Sequence, residues 1–132
     1  MTVVYLDSSA LVKLVVAEPE SAALIERLRR WPGRMSSALA LTELPRALRR
    51  AGFGTVVRRR AREVLARIAL VDVDRRILAA AAALEPADLR TLDAIHLATA
   101  LAVREELDVI VTYDRRLRAA AERADLEVVA PA

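Results

Sequence analysis

Hydrophobic positions along the chain come in two alternating kinds. Short apolar runs rich in β-branched residues predict strands at 3–6, 35–38, 70–73, 109–112 and 127–130. Between them, apolar residues recur every three or four positions, the spacing of one helix face. Ser8 and Ser9 start a helix that runs to about Val16, and Pro19 opens a second that ends near Trp31-Pro32-Gly33. Leu41, Leu44 and Leu48 mark a third, stopping at Gly52, with Pro45 either in its early turns or kinking it. A fourth covers 56–68. Asp74 caps an alanine-rich helix that ends at Glu85-Pro86, Thr91 caps the most regular one, and the last occupies 115–124.

Strand and helix in alternation are the mark of an α/β fold, a parallel sheet wrapped by helices. The 132 residues suit one domain over 1–132, and no linker or repeat divides them. Cysteine is absent, which excludes a disulfide framework and thiolate metal sites and fits a reducing compartment. The apolar stretch 10–17 is too short for a membrane span and is interrupted by Lys13, so a cytoplasmic protein with no membrane partner is expected. Lys+Arg 21 against Asp+Glu 18 leaves a net charge of +3, and Lys13 is the sole lysine. Arginine forks match phosphate geometry. A GC-rich genome produces the same bias, so net charge alone decides nothing.

The chemistry lies in four acids. Ligands in an open parallel sheet bind beyond the carboxyl ends of the strands. Asp7 follows the first predicted strand and Asp114 the fourth; each also has a plain reading as a helix N-cap, weaker for Asp7 because Ser8 and Ser9 are at hand. Glu43 and Asp93 stand in early helical turns, where the helix dipole by itself favours acids. Asp93 is flanked by Leu92, Ala94 and Ile95, and an acid in apolar surroundings needs a partner or a cation. Converging, the four would raise one another's pKa unless a cation paired with them. Oxygen-only ligands suit Mg²⁺ or Mn²⁺ rather than zinc, and such a site suits cation-assisted phosphodiester hydrolysis.

The only histidine, His96, lies three residues beyond Asp93, and packing or support of a ligand explains it better than general-base work. Helix capping accounts for Ser8 and ordinary strand placement for Thr112, although either hydroxyl is able to steady a ligand. Arginines cluster at Arg46, Arg49 and Arg50, at Arg58, Arg59, Arg60 and Arg62, at Arg75 and Arg76, and at Arg115, Arg116 and Arg118. The first cluster follows Glu43 on its own helix and can flank the pocket, where it would meet a phosphate backbone. Solvated helix faces explain such runs more often. Tyr5, Trp31, Phe53 and Tyr113 are too scattered to form a base-stacking platform.

Four stretches taken together carry a resemblance: VVYLDSSALVKL, LALTELPRAL, LDAIHLATAL and VIVTYDRRL, spread in this order over the chain. The sequence resembles the PIN-domain family, and within it the VapC-like toxins of toxin–antitoxin pairs. The resemblance implies a three-layer fold with a central five-stranded parallel sheet, a homodimer, and a Mg²⁺- or Mn²⁺-dependent endoribonuclease acting on RNA. It implies a cognate VapB-like antitoxin that covers the site. It also carries the family's metal-site role onto Asp7, Glu43, Asp93 and Asp114. Asp7 and Asp93 are expected as principal ligands, Asp114 as completing the set, and Glu43 as serving a second metal or orienting water.

One rival reading is a catalytically silent PIN scaffold that binds RNA or a partner protein; the intact acid set argues against it. A phospho-acceptor domain of response-regulator type would want a lysine beyond a late strand, and Lys13 is misplaced for it. A dehalogenase-like phosphatase would want Asp-x-Asp, whereas Ser9 stands two residues after Asp7.

Overall fold

The computed structural model describes residues 2–132. Strands β1 (Val3–Leu6), β2 (Gly33–Ser37), β3 (Ala69–Val71), β4 (Val109–Val111) and β5 (Val128–Val129) form one sheet in the order β3-β2-β1-β4-β5. Every pairing is parallel. The helices are α1 (Ser8–Val15), α2 (Ser21–Leu28), α3 (Ala40–Arg50), α4 (Thr55–Ala66), α5 (Arg75–Ala82), α6 (Thr91–Ala102) and α7 (Arg115–Arg123). The α/β expectation and the five parallel strands hold.

Side chains alternate across a strand, so β1 serves both faces of the sheet. Val4 and Leu6 pack with Val109 and Val111 of β4 against α1 to α4, with Leu11, Leu24, Leu44 and Leu48 buried among them. Tyr5 and Ile110 point the other way, onto Leu97 and Ala100 of α6 and Leu117, Ala120 and Ala121 of α7. A third cluster joins Ile77 and Ala81 of α5 to Ala94, Ile95 and Ala98 of α6. Fully buried strands of a parallel sheet read as continuous apolar runs, which is why VVYL and VIV lack polar alternation.

Chain order reverses beside β1: β2 and β3 extend to one side, and β4 and β5 return on the other. The crevice beyond the carboxyl ends at such a reversal is where open α/β sheets place their chemistry. Register matters here. Leu6 pairs with Val111, so the residues following the two strands, Asp7 and Thr112, emerge side by side.

Element boundaries shift where backbone bonding outweighs the apolar pattern. Strand β2 begins at Gly33 rather than Met35, because the ladder with β1 starts at the Val3–Gly33 pair. Helix α2 starts at Ser21, not Pro19: Ser21 Oγ accepts from the Glu18 N–H at 2.9 Å and holds a turn ahead of the helix. The alanine-rich α5 stops at Ala82, short of Pro86. Helix α3 runs through Pro45 to Arg50, and Gly52 follows in a left-handed conformation (φ 86°) that a side chain would strain.

Candidate active site at the carboxyl edge of the sheet

Asp7, Glu43, Asp93 and Asp114 all line one cleft of about 430 Å³ at this edge, together with Ser9, Arg46, Arg50 and Arg90. Convergence is therefore a feature of the fold. The elements that deliver the acids are different in each case: the end of β1, the first turn of α3, the first turn of α6, and the N-cap of α7 beyond β4.

Asp7 is buried and held from three sides. Its Oδ1 accepts from Ser9 Oγ at 2.6 Å and from the Ala10 N–H at 3.0 Å, while Oδ2 accepts from Thr112 Oγ1 at 2.5 Å. It is thus the N-cap of α1, the role that the sequence assigned to Ser8 and Ser9. The reason is geometric: an N-cap has extended backbone, and Asp7 (ψ 179°) still has it, whereas Ser8 is already helical. Burial pushes the Asp7 carboxyl above its usual range, opposed by the bonds from Ser9, Thr112 and Ala10. Thr112 lies just past the end of β4 rather than in the strand as the sequence suggested. Its hydroxyl donates to Asp7 and accepts from the Asp114 N–H at 3.1 Å, so one side chain sets the spacing of two of the acids.

Glu43 is fixed by a buried relay. Its Oε1 lies 2.6 Å from His96 Nε2, and His96 Nδ1 lies 2.7 Å from the Tyr5 hydroxyl. A carboxylate oxygen accepts, so Nε2 bears the proton and donates. Nδ1 then accepts from Tyr5, whose hydroxyl burial and the nearby Asp7 charge keep protonated. Tyr5 and His96 meet edge-on at 78° with ring centroids 5.9 Å apart. His96 is buried, and its side-chain bond across the site goes to Glu43 on α3 rather than to Asp93 on its own helix.

Asp93 and Asp114 share a cation from within the chain. Arg90 Nε donates to Asp93 Oδ2 at 3.1 Å and Arg90 Nη2 to Asp114 Oδ2 at 2.8 Å. Burial raises the Asp93 carboxyl first and the neighbouring Asp114 charge raises it further, against the pull of Arg90. Asp114 spends Oδ1 on the N–H groups of Arg116 and Leu117, so it caps α7 as well as lining the cleft. Arg90, not Thr91, is the N-cap residue of α6, and it makes no side-chain cap bond.

Sequence reasoning did not single out Arg90, Ser9 or Tyr5 as site residues. Arg90 was discoverable, since it precedes Asp93 by three residues and such pairs meet on a helix flank. Tyr5 carried no signal, because only the sheet face it occupies brings it to His96. Of the first arginine cluster, Arg46 and Arg50 line the cleft while Arg49 lines a separate groove between α3 and α4.

The donors fit a hard divalent cation in kind: carboxylate and hydroxyl oxygens, with a desolvated acid at the bottom of the cleft. Among the described residues, no three acidic or histidine side chains are drawn around a common point as ligands would be. Each carboxylate is committed to a partner in the protein.

A PIN-domain profile matches residues 4–123. Ribonuclease VapC46 of Mycobacterium tuberculosis is 50% identical over 131 residues, covering 99% of each chain. Among solved structures, VapC20 of the same species, a sarcin–ricin loop cleaving toxin, superposes with a TM-score of 0.74 at 18% identity, covering 97% of this chain and 99% of that one. A toxin–antitoxin complex from Klebsiella pneumoniae gives 0.74 at 23% identity, covering 98% of each chain. The two structural likenesses speak for the fold; matched from residue 4 to 123 and half identical to VapC46 end to end, the chain belongs to the PIN-domain family, among its VapC-like members.

Proposed function

We propose that this protein is a divalent-cation-dependent endoribonuclease, the toxin of a VapBC-type pair, which hydrolyses RNA phosphodiester bonds in the cleft lined by Asp7, Glu43, Asp93 and Asp114. The observation that carries the reading is their convergence: four acids scattered over 108 positions of sequence line one cleft at the switch point of the sheet. The 50% identity to Ribonuclease VapC46 along the whole chain supports the reaction class.

Mg²⁺ or Mn²⁺, when bound, would supply charge neutralisation at the phosphate and acidify the attacking water. Asp7 and Asp93 are the principal ligands in this reading. Both are carboxyls whose surroundings disfavour their charge, so a cation relieves a cost the fold imposes. Asp114 contributes Oδ2, the oxygen that its capping role leaves over. Glu43, oriented by His96, positions water or serves a second ion through the oxygen that His96 does not hold. Arg46 and Arg50, on the same helix face as Glu43, receive the phosphate backbone.

The partner is a VapB-like antitoxin, a proposal supported by the likeness to a chain of a toxin–antitoxin complex. A homodimer and a cytoplasmic setting belong to the same proposal. Among the described residues, no helix is long and apolar enough to cross a membrane.

The direct test is Asp7→Asn. The amide keeps most of the cap geometry and removes the charge. Mn²⁺-dependent RNA cleavage, stopped by chelation in the wild type, is expected to fall by at least about 10³-fold, a change of about 4 kcal/mol in barrier. A folded variant that still cut RNA would overturn the assignment.

A further inference from the structure

Arg90 holds Asp93 and Asp114 together with one guanidinium, and the atoms it uses are the ones a metal ion would need. Asp114 is the telling case. Its Oδ1 accepts from two backbone N–H groups of α7, so Oδ2 is the oxygen left for a cation, and Arg90 Nη2 occupies it at 2.8 Å. The other arm of the fork, Nε, lies 3.1 Å from Asp93 Oδ2. A guanidinium and a divalent ion repel each other, and neither can use these two oxygens at full strength while the other is present.

Arg90 is also placed to leave. Its side chain is 64% exposed, it projects from an extended N-cap residue, and among the described residues its guanidinium has no partner besides Asp93 and Asp114. Exposed ion pairs contribute little, so a divalent cation displaces such a fork at small cost. Without any cation, Asp93 and Asp114 would face each other as like charges beside a buried carboxylate.

Resting on the divalent-cation reading above, we infer that Arg90 is a resident counter-cation: its fork neutralises Asp93 and Asp114 in the metal-free protein and must be displaced by the divalent ion. It is a positioning residue, since it acts on the carboxylates. It keeps two of the acids paired and oriented toward the cleft until a metal arrives, and it sets the concentration at which the metal takes over.

The test is calorimetric titration of the full chain with Mn²⁺ alone, comparing the wild type with Arg90→Gln, alongside melting temperatures in chelator and in Mn²⁺. Arg90→Gln is expected to bind Mn²⁺ at least about threefold more tightly, on the scale of exposed ion pairs. It is also expected to melt lower in chelator and to gain more from Mn²⁺ than the wild type does. A merely structural arginine would lower the melting temperature without tightening Mn²⁺ binding. Equal or weaker Mn²⁺ affinity in the variant, or an unchanged melting temperature in chelator, would overturn the inference while leaving the metal site standing. Absence of Mn²⁺ binding in both proteins would overturn the cation reading beneath it, and the inference with it.

Discussion

Asp7 has two tasks that pull against each other. As the cap of α1 it is held in place by Ser9, Ala10 and Thr112, yet the depth proposed to suit it to a cation penalises its charge. Its carboxyl binds a proton more tightly folded than unfolded. Between its ordinary value of 3.8 and the raised folded value, the native state therefore holds the extra proton. Stability then falls as pH rises through that window, the reverse of a salt-bridged carboxylate. In chelator, wild-type stability followed by denaturant unfolding from pH 4 to 8 is expected to decline relative to Asp7→Asn, which has no proton to lose. Parallel curves would mean that the three hydrogen bonds already offset the desolvation. The acid was legible at the end of an apolar strand. Its burial was not, because that depends on Thr112, 105 residues away, arriving beside it.

At the scale of elements, two helices do most of the presenting. Helix α3 carries Glu43, Arg46 and Arg50 at spacings of three and four on the cleft side, while Leu44 and Leu48 are buried on the other. Helix α6 carries Arg90 ahead of its first residue, Asp93 in its first turn and His96 one turn on. Both faces could be drawn from the sequence alone. Pro45 is the exception within them. It lies in the interior of α3, where it lacks the N–H that would bond Leu41, and Leu41 itself is exposed. Pro45→Ala restores that bond, and it is expected to stabilise the fold by about 1–3 kcal/mol in denaturant unfolding, within the range proline costs inside a helix. A destabilised variant would show that the proline ring is held by packing along the groove it lines.

Over the whole molecule, charge is nearly balanced at +3, so any affinity for RNA has to come from placement rather than total charge. Arg46 and Arg50 are the arginines of the first cluster that line the cleft. In an Asp7→Asn background, which allows binding to be measured without cleavage, Arg46→Gln combined with Arg50→Gln should weaken single-stranded RNA binding. The dependence of log affinity on log salt should become shallower by about 1.4 units, since each of the two phosphate contacts contributes about 0.7. An unchanged slope would move the RNA path elsewhere, with the clusters on α4 and α7 next in line.

What the sequence determined by itself is what local physics encodes. The alternation of apolar runs specified strands and helices in the right order, acids stood after strands and in first helical turns, and the absence of cysteine excluded thiolate chemistry. Tertiary structure decided everything that depends on register. The parallel pairing of Leu6 with Val111 sets Asp7 beside Thr112. The face of β1 that carries Tyr5 lets it reach His96, and His96 in turn reaches across to Glu43. The fork of Arg90 joins Asp93 in the first turn of α6 to Asp114, the cap of α7, 24 residues beyond the arginine. Local propensity fixes which residues are presented and on which side of an element. Only the packing of one element against another determines what each of them meets.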